Sequence, residues 1–402
     1  MPHHKWARAA EEGRFSEILK VGDPLSEMVG CGPFRIVDYK TDEAITFERN
    51  PRYWIFDQDG KRLPYAERVM LRIVPNLDTM YTKFIAGEFD LLEPLQPEYY
   101  QDARAKEKDG DFKVVPLGPS LRTVYFAVNQ NPGSNAETGQ PYVAPWKLKY
   151  FRMTEFRRAL SHAVDRDAIV DNLLGGRGSP LYAFTPPPNK LWHNPDVPKY
   201  PHDKKKARDL LESIGLVDRD GDGIRETPEG RKFSFTLLTN TENNMRVQAC
   251  TMIQKDLKEV GLDVTPSPMV FTTLVRNIQS AYDWEAFLLG WASGVPPDPL
   301  MSKNILLSSG QSHNWFPLQE SPATPWEAEM DKLTAEMGQE DSREKRKAIY
   351  DRIQVILAEQ QPMIFLFNDN LYVGARNRFR NLKPSILRPH TYWNIEEIAV
   401  TK

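Results

Sequence analysis

Between residues 233 and 289 the chain alternates strand-like and helix-like segments, and this alternation narrows the possible folds more than any other feature. Residues 233–239, from Phe233 to Thr239, read as a strand. Val247, Cys250, Ile253, Leu257 and Val260 then recur at helical spacing, so residues 244–260 are expected to form an amphipathic helix ended by Gly261. Residues 262–265 read as a strand, 272–280 as a helix and 286–289 as a strand. Strands and helices in this order argue an α/β lobe.

A second α/β stretch precedes it. Thr123-Val124-Tyr125-Phe126-Ala127-Val128-Asn129 alternates as a strand and leads into a Pro/Gly/Asn segment at residues 131–135. Two short helices follow, with Thr154 and Asp165 as expected caps and Gly175-Gly176 as the stop. Nearer the start, residues 1–20 read as a helix, and residues 34–39 and 44–49 as two strands joined by a turn at 40–43. Asp78 is the expected cap of a helix over residues 79–86. Residues 299–324 form a long loop, a class that is often functional. Helices at 325–337 and 342–360 come next, then an apolar strand at 363–367 and an irregular, strand-like remainder from Leu371.

The 402 residues allow two or three domains at roughly 100–200 residues each. With 52 basic and 55 acidic side chains the net charge is −3, which offers no electrostatic reason to expect nucleic acid or an anionic membrane as partner. No apolar run approaches the ~18–20 residues of a membrane helix, and the first six residues lack the apolar stretch of a signal peptide. Cys31 and Cys250 form no metal motif, and Cys250 sits among apolar helix positions as a buried thiol would.

Catalytic signatures are absent: no Gly-x-Ser-x-Gly elbow, no His-Glu-x-x-His and no phosphate-binding loop. The sharpest local motif is Asp218-Arg219-Asp220-Gly221-Asp222-Gly223, with Glu229 eleven residues after Asp218. Alternate carboxylates, a glycine at the sixth place and a glutamate at the twelfth follow the recipe of a calcium loop. Ile224 falls one place early for that recipe, and Pro228 and Gly230 oppose an exiting helix. A polar turn leading into the Phe233 strand is therefore the preferred reading, and no metal is expected. The second signal is aromatic: Trp291, Trp315, Trp326, Tyr392 and Trp393 lie in loops or at element ends. Around the 291–326 loop they could form a pocket wall, with Ser293, Asp298, His313, Asn314 and Glu327 as its polar groups.

Gly30-Cys31-Gly32-Pro33-Phe34-Arg35, followed by Phe47-Glu48-Arg49-Asn50-Pro51-Arg52-Tyr53-Trp54, resembles a signature of the extracellular solute-binding proteins, family 5. These are the oligopeptide- and dipeptide-type binding proteins of ABC importers. Residues 84–90, 156–166, 206–211 and Gly290-Trp291 resemble further segments of the family, in the family's order. The resemblance implies an α/β, two-lobed periplasmic binding protein of type II, cluster C-like, with two hinge crossings. Lobe I would span residues 1–124, lobe II 125–366, and residues 367–402 would return to lobe I. Met1-Pro2-His3-His4 resembles a stretch internal to family members, which implies that lobe I is incomplete.

The implied mechanism is capture of a small-molecule or peptide ligand between the lobes, hinge closure, and delivery to an ABC permease in the membrane. No cofactor and no covalent chemistry are implied, and the location would be periplasmic or cell-surface, with a monomer when full length. Candidate ligand-binding residues are Tyr125, Asn129, Trp291, Ser293, Asp298, Asn314 and Trp315. Peptide binders of the family carry an aspartate three residues after the equivalent of Trp291; here that residue is Gly294. Sugars and other polar solutes therefore stay open beside peptides. A binding or sensing protein on the same fold, and a hydrolase using Asp298 with Glu327, are the alternatives.

Overall fold

The computed structural model describes residues 30–401, together with residues 9, 11–13, 24, 25 and 28. The helix expected over residues 1–20 falls almost wholly outside the described residues. The chain divides into two compact units: one holds the chain up to Leu95, Tyr99–Pro116 and Tyr372–Lys402, the other Gln96–Glu98 and Leu117–Leu371.

In the first unit, β1 (Phe34–Lys40), β2 (Ala44–Arg49) and β3 (Arg68–Arg72) form an antiparallel sheet. The Leu77–Ile85 helix is capped by Asn76, whose side chain accepts from the Thr79 amide at 2.7 Å. Asp78, the expected cap, lies in the first turn two residues after Asn76, where a negative charge still favours the helix N-terminus. This helix, β4 (Leu91–Leu95), the Tyr100–Lys106 helix and β5 (Phe112–Pro119) enclose a small core of Tyr81, Phe84, Leu92, Leu95, Phe112, Val114 and Tyr372.

The second unit opens with β6 (Arg122–Val128), buried along nearly its whole length. The helices Pro145–Phe151, Thr154–Ala163 and Arg166–Leu174 follow, then the short β7 (Gly178–Pro180). Asp165 caps the third of these helices through the Ala168 amide at 2.9 Å. Thr154 is the first residue of its own helix instead of the expected cap, because its hydroxyl is taken by the Gln360 side chain at 3.0 Å. After the Lys204–Ser213 helix come β8 (Ser234–Asn240), the Asn244–Lys258 helix, β9 (Asp263–Met269), the short Phe271–Arg276 helix and β10 (Ala286–Ala292). Helices Pro325–Gln339 and Arg343–Gln360 lead to β11 (Ile364–Arg376); β12 (Phe379–Arg380) and β13 (Ala399–Val400) pair near the end of the chain.

The sheet of the second unit runs β11-β6-β10-β8-β9. β8 is parallel to both β10 and β9, with helices supplying the crossovers that parallel neighbours need, whereas β6 is antiparallel to β10 and β11. Alternate residues of β6 enter two separate cores. Val124, Phe126 and Val128 face Phe156, Leu160, Ile253 and Leu257, while Tyr125 and Ala127 face Phe287, Trp315, Tyr350 and Ile353. A sheet covered on both faces explains why β6 is buried at nearly every position instead of alternating between core and solvent. Cys250 is a free thiol buried in the first of these cores.

The units change over at residues 116/117 and 371/372, outside the expected 124/125 and 366/367. Hydrogen bonds between the flanking segments account for the shift. Asn368 donates to the backbone oxygens of Ser120 and Arg122, both at 2.7 Å, and Asp369 accepts from the Ser120 hydroxyl at 2.7 Å and pairs with Arg122. Residues 117–124 and 367–371 are thereby tied together within the second unit.

Candidate functional site

The site of interest lies in the second unit, at one end of its parallel strands. In open α/β sheets ligands bind outside the carboxyl ends of the strands. Asn240 is the last residue of β8, and Leu289, Gly290 and Trp291 are near the end of β10. The antiparallel β6 brings Tyr125 opposite Leu289. The Asn244–Lys258 helix, capped by Asn243, starts directly after β8 and supplies Arg246 from its first turn. Phe271, Val275, Ile278 and Gln279 come from the segment after β9, and Ser312 and Asn314 from the long loop. Together these residues line a pocket of about 320 Å³.

Charge in the pocket is one-sided. Arg246 donates from Nη1 to the Asn240 side-chain oxygen at 2.8 Å, and Asn240 in turn donates to Glu242 at 3.0 Å. The Arg246 Nε is buried with no hydrogen-bond partner, and among the described residues Arg246 makes no ion pair. Burial, with the nearby charge of Arg122 adding to it, lowers the Arg246 pKa to about 10, so the group stays cationic at neutral pH. The nearby Asp369 is already occupied by Arg122 and Ser120. Gly290 makes room for the guanidinium: a Cβ there would lie 2.9 Å from Nη2 of Arg246. Among the described residues, none that lines the pocket is a carboxylate.

Tyr125 is fully buried and its hydroxyl accepts from Asn314 at 2.8 Å, while burial raises its pKa well above the ordinary phenol value. The Trp291 indole N–H is buried without a partner. Tyr125, Trp291 and Asn314, each expected from sequence, thus meet in one pocket.

The other expected residues are placed elsewhere, each for a visible reason. Asn129 is fully buried and its amide is consumed locally, donating to the Trp284 oxygen at 2.8 Å and accepting from the Asn131 amide at 3.0 Å. Asp298 caps a short helical turn through Leu300 at 2.9 Å and pairs with Arg346 at 2.9 Å. Ser293 does not line the pocket; its amide donates to the Leu121 oxygen at 3.2 Å. Trp315 is wholly buried with its indole N–H bonded to Glu327 at 3.0 Å. Gly294, where the peptide binders have an acid, leaves no room for a side chain: a Cβ there would lie 2.9 Å from that of Met301.

Glu327 sits at the centre of a buried cluster. One of its oxygens accepts from His313 at 3.2 Å, Trp315 at 3.0 Å and Gln319 at 2.9 Å, and the other from Thr324 at 2.8 Å. Burial alone would raise its pKa, but the hydrogen bonds from His313, Gln319, Thr324 and Trp315 hold it down to about 2. A saturated, buried carboxylate whose supposed partner Asp298 is held by Arg346 does not form a hydrolytic pair.

In the calcium-like loop, Glu229 is not grouped with the aspartates. The carboxylate that joins Asp218, Asp220 and Asp222 is Glu226. Sequence reading also missed Arg246 and Asn240. Arg246 sits between apolar positions of a helix that reads as amphipathic. A cation in a helix's first turn, where the dipole disfavours it, was the available signal.

Residues 10–314 match the sequence model of the "Bacterial extracellular solute-binding proteins, family 5 Middle". The chain belongs to this family. Among its family 5 relatives, the oligopeptide-binding protein AppA of Bacillus subtilis is 27% identical over 88% of this chain, and the chain spans 59% of that protein's length. A solved structure of AppA in complex with a nonapeptide overlays with a TM-score of 0.78 at 26% identity, covering 100% of this chain and 72% of the other. The periplasmic binding protein MelB of Agrobacterium fabrum, solved with stachyose, gives a TM-score of 0.78 at 22% identity, covering 92% of this chain and 57% of that one, and speaks for the fold alone. The fold is the mixed α/β fold of the type II periplasmic binding proteins. Members of family 5 are extracellular solute-binding proteins, and among the described residues no helix is long and apolar enough to cross a membrane.

Proposed function

We propose that this chain belongs to the solute-binding component of an ABC import system, acting outside the cytoplasm and delivering its solute to a membrane permease. It binds without covalent chemistry and works as a monomer. The solute is a peptide or similar polar molecule, held by the second-unit pocket. The observation that carries this reading is the presence in one pocket of Trp291 and Arg246, a cation that has no carboxylate partner among the described residues. Such a wall suits an apolar or ring-bearing group next to an anionic or hydrogen-bond-accepting one, as in a peptide's side chain and carboxylate. The nonapeptide complex of AppA supports the same class of solute.

A second reading is favoured by the lack of a lining carboxylate among the described residues: none of them offers a counter-charge to a ligand's amine. An oligosaccharide, which needs aromatic stacking and amide hydrogen bonds, fits that composition.

Titration calorimetry with peptides of graded length, their C-terminally amidated forms, and oligosaccharides tests both readings. For the peptide reading, Trp291→Ala is expected to weaken binding by about tenfold or more. Arg246→Met should abolish the preference for a free carboxylate over an amide, a charge-assisted contact of about 1.5–3 kcal/mol. Binding unchanged in Trp291→Ala removes the pocket from the function, and saturable binding of sugars alone selects the second reading.

A further inference from the structure

A cluster of carboxylates precedes β8, at the opposite end of that strand from the pocket. Asp218, Asp220, Asp222 and Glu226 each place one carboxylate oxygen within 4.8 Å of the others. The three aspartates are exposed and follow one another around a tight turn. Asp218 accepts from the amides of Gly221 at 2.8 Å and Gly223 at 3.0 Å, Asp220 from Asp222 at 3.1 Å, and Asp222 from Ile224 at 2.9 Å. Gly221 and Gly223, with φ of +77° and +90°, allow the backbone to turn this sharply.

Glu226 differs from these aspartates in being buried. It is 4% exposed, and its backbone is fixed by bridges to Val217 and Lys232. One carboxylate oxygen accepts from the Arg219 amide at 2.8 Å, while the other, Oε1, is buried with no hydrogen-bond partner. An unsatisfied buried carboxylate oxygen is costly, and Glu226 belongs to a cluster that already concentrates negative charge. The Arg219 guanidinium does not relieve it, being turned to the backbone oxygens of Glu226 and Thr227 at 2.9 and 3.0 Å. The only cation bonded to the cluster among the described residues is Lys232, which reaches Asp220 at 3.0 Å and also bonds Asp222.

We propose that Asp218, Asp220, Asp222 and Glu226 form a calcium site, with Lys232 occupying the cluster as an exchangeable internal cation when the metal is away. Four carboxylates, mono- or bidentate, supply the 6–8 oxygen ligands that calcium takes in irregular geometry. Magnesium demands a tighter octahedron and keeps its waters, so a mixed cage with one buried ligand selects against it. The half-exposed Lys232 can swing into solvent without breaking a core contact.

Calorimetric titration of the full chain with CaCl₂ after chelator treatment tests this. The expected result is one saturable site with Kd on the order of 10⁻⁴–10⁻³ M, and at least tenfold weaker binding of MgCl₂. The exposed pair Asp220→Asn/Asp222→Asn should lose binding at least tenfold while keeping its far-UV spectrum. Glu226→Gln should lose it to a similar degree, and Glu229→Gln should bind as the parent does. Lys232→Met, which removes the competitor, should tighten binding about threefold or more. No saturable heat up to about 10 mM CaCl₂, or equal binding by the Asp220/Asp222 variant, overturns the proposal and leaves Lys232 as the cluster's permanent counterion.

Discussion

Glu327 shows how one side chain can carry both an apparent function and its refutation. In the sequence it stands in a loop-rich, aromatic neighbourhood and pairs on paper with Asp298. In the fold it receives four hydrogen bonds and leaves no oxygen for a substrate. The His313 ring lies against the Ile305 backbone oxygen at 2.8 Å and Glu327 at 3.2 Å. The sign of the pH effect follows from the depressed carboxyl. Its stabilisation is complete above the ordinary glutamate value of 4.5 and is lost as pH falls toward about 2. The shift corresponds to a contribution on the order of 3 kcal/mol. Glu327→Gln keeps the shape but removes the charge opposite His313, and is expected to cost about 2–3 kcal/mol at pH 7. Urea denaturation should show that cost, and the gap between parent and variant should narrow as the pH is lowered from 4.5 toward 2. A pH-independent gap would remove Glu327 as the source of the acid limb.

At the scale of elements, periodicity exposed the helices and the short strands but not β11. The expected strand stops at Phe367 because Asn368-Asp369-Asn370 reads as a polar break. The strand in fact continues to Arg376, 13 residues in all, since the fold supplies partners for those polar groups. Arg122, Ser120 and two backbone oxygens saturate Asn368 and Asp369, and no local pattern announces contacts about 250 residues apart in sequence. Asn129 was misplaced for the converse reason: a polar residue closing an apolar strand reads as exposed to ligand, yet its amide is wholly used within the fold. The Asp369 pairing carries a prediction. Asp369 is buried while Arg122 is about a quarter exposed, so removing the acid's charge leaves a partly hydrated cation without its counter-charge and weakens the bond from the Ser120 hydroxyl. Asp369→Asn should destabilise the second unit by about 2–3 kcal/mol, and Arg122→Met in the same background should recover part of the loss. A double-mutant cycle by chemical denaturation measures both; a coupling below about 0.5 kcal/mol would mean that β11 is held by its backbone ladder alone.

At the scale of the whole molecule, β8 acts as a spacer between the two candidate sites. The carboxylate loop precedes its first residue, Ser234, and the pocket begins at its last, Asn240. Seven residues of strand at about 3.3 Å each separate the two ends by roughly 20 Å. Between them runs a sheet interior buried on both faces, a rigid element with no second arrangement visible in its packing. Energetic coupling needs such a two-state element, and sites farther apart than about 10 Å with no shared partners behave additively. Calcium should therefore stabilise the fold without tuning solute capture. At about 100 times its Kd each ligand adds about 2.7 kcal/mol of stability, and together they should add the sum. Melting experiments with calcium, solute, both and neither test this, alongside solute titrations in calcium and in chelator. The solute Kd is expected to agree within about twofold between the two conditions. A change of tenfold or more would show that β8 transmits strain from the loop to Asn240 and Arg246, making the metal a regulator of transport instead of a structural clip.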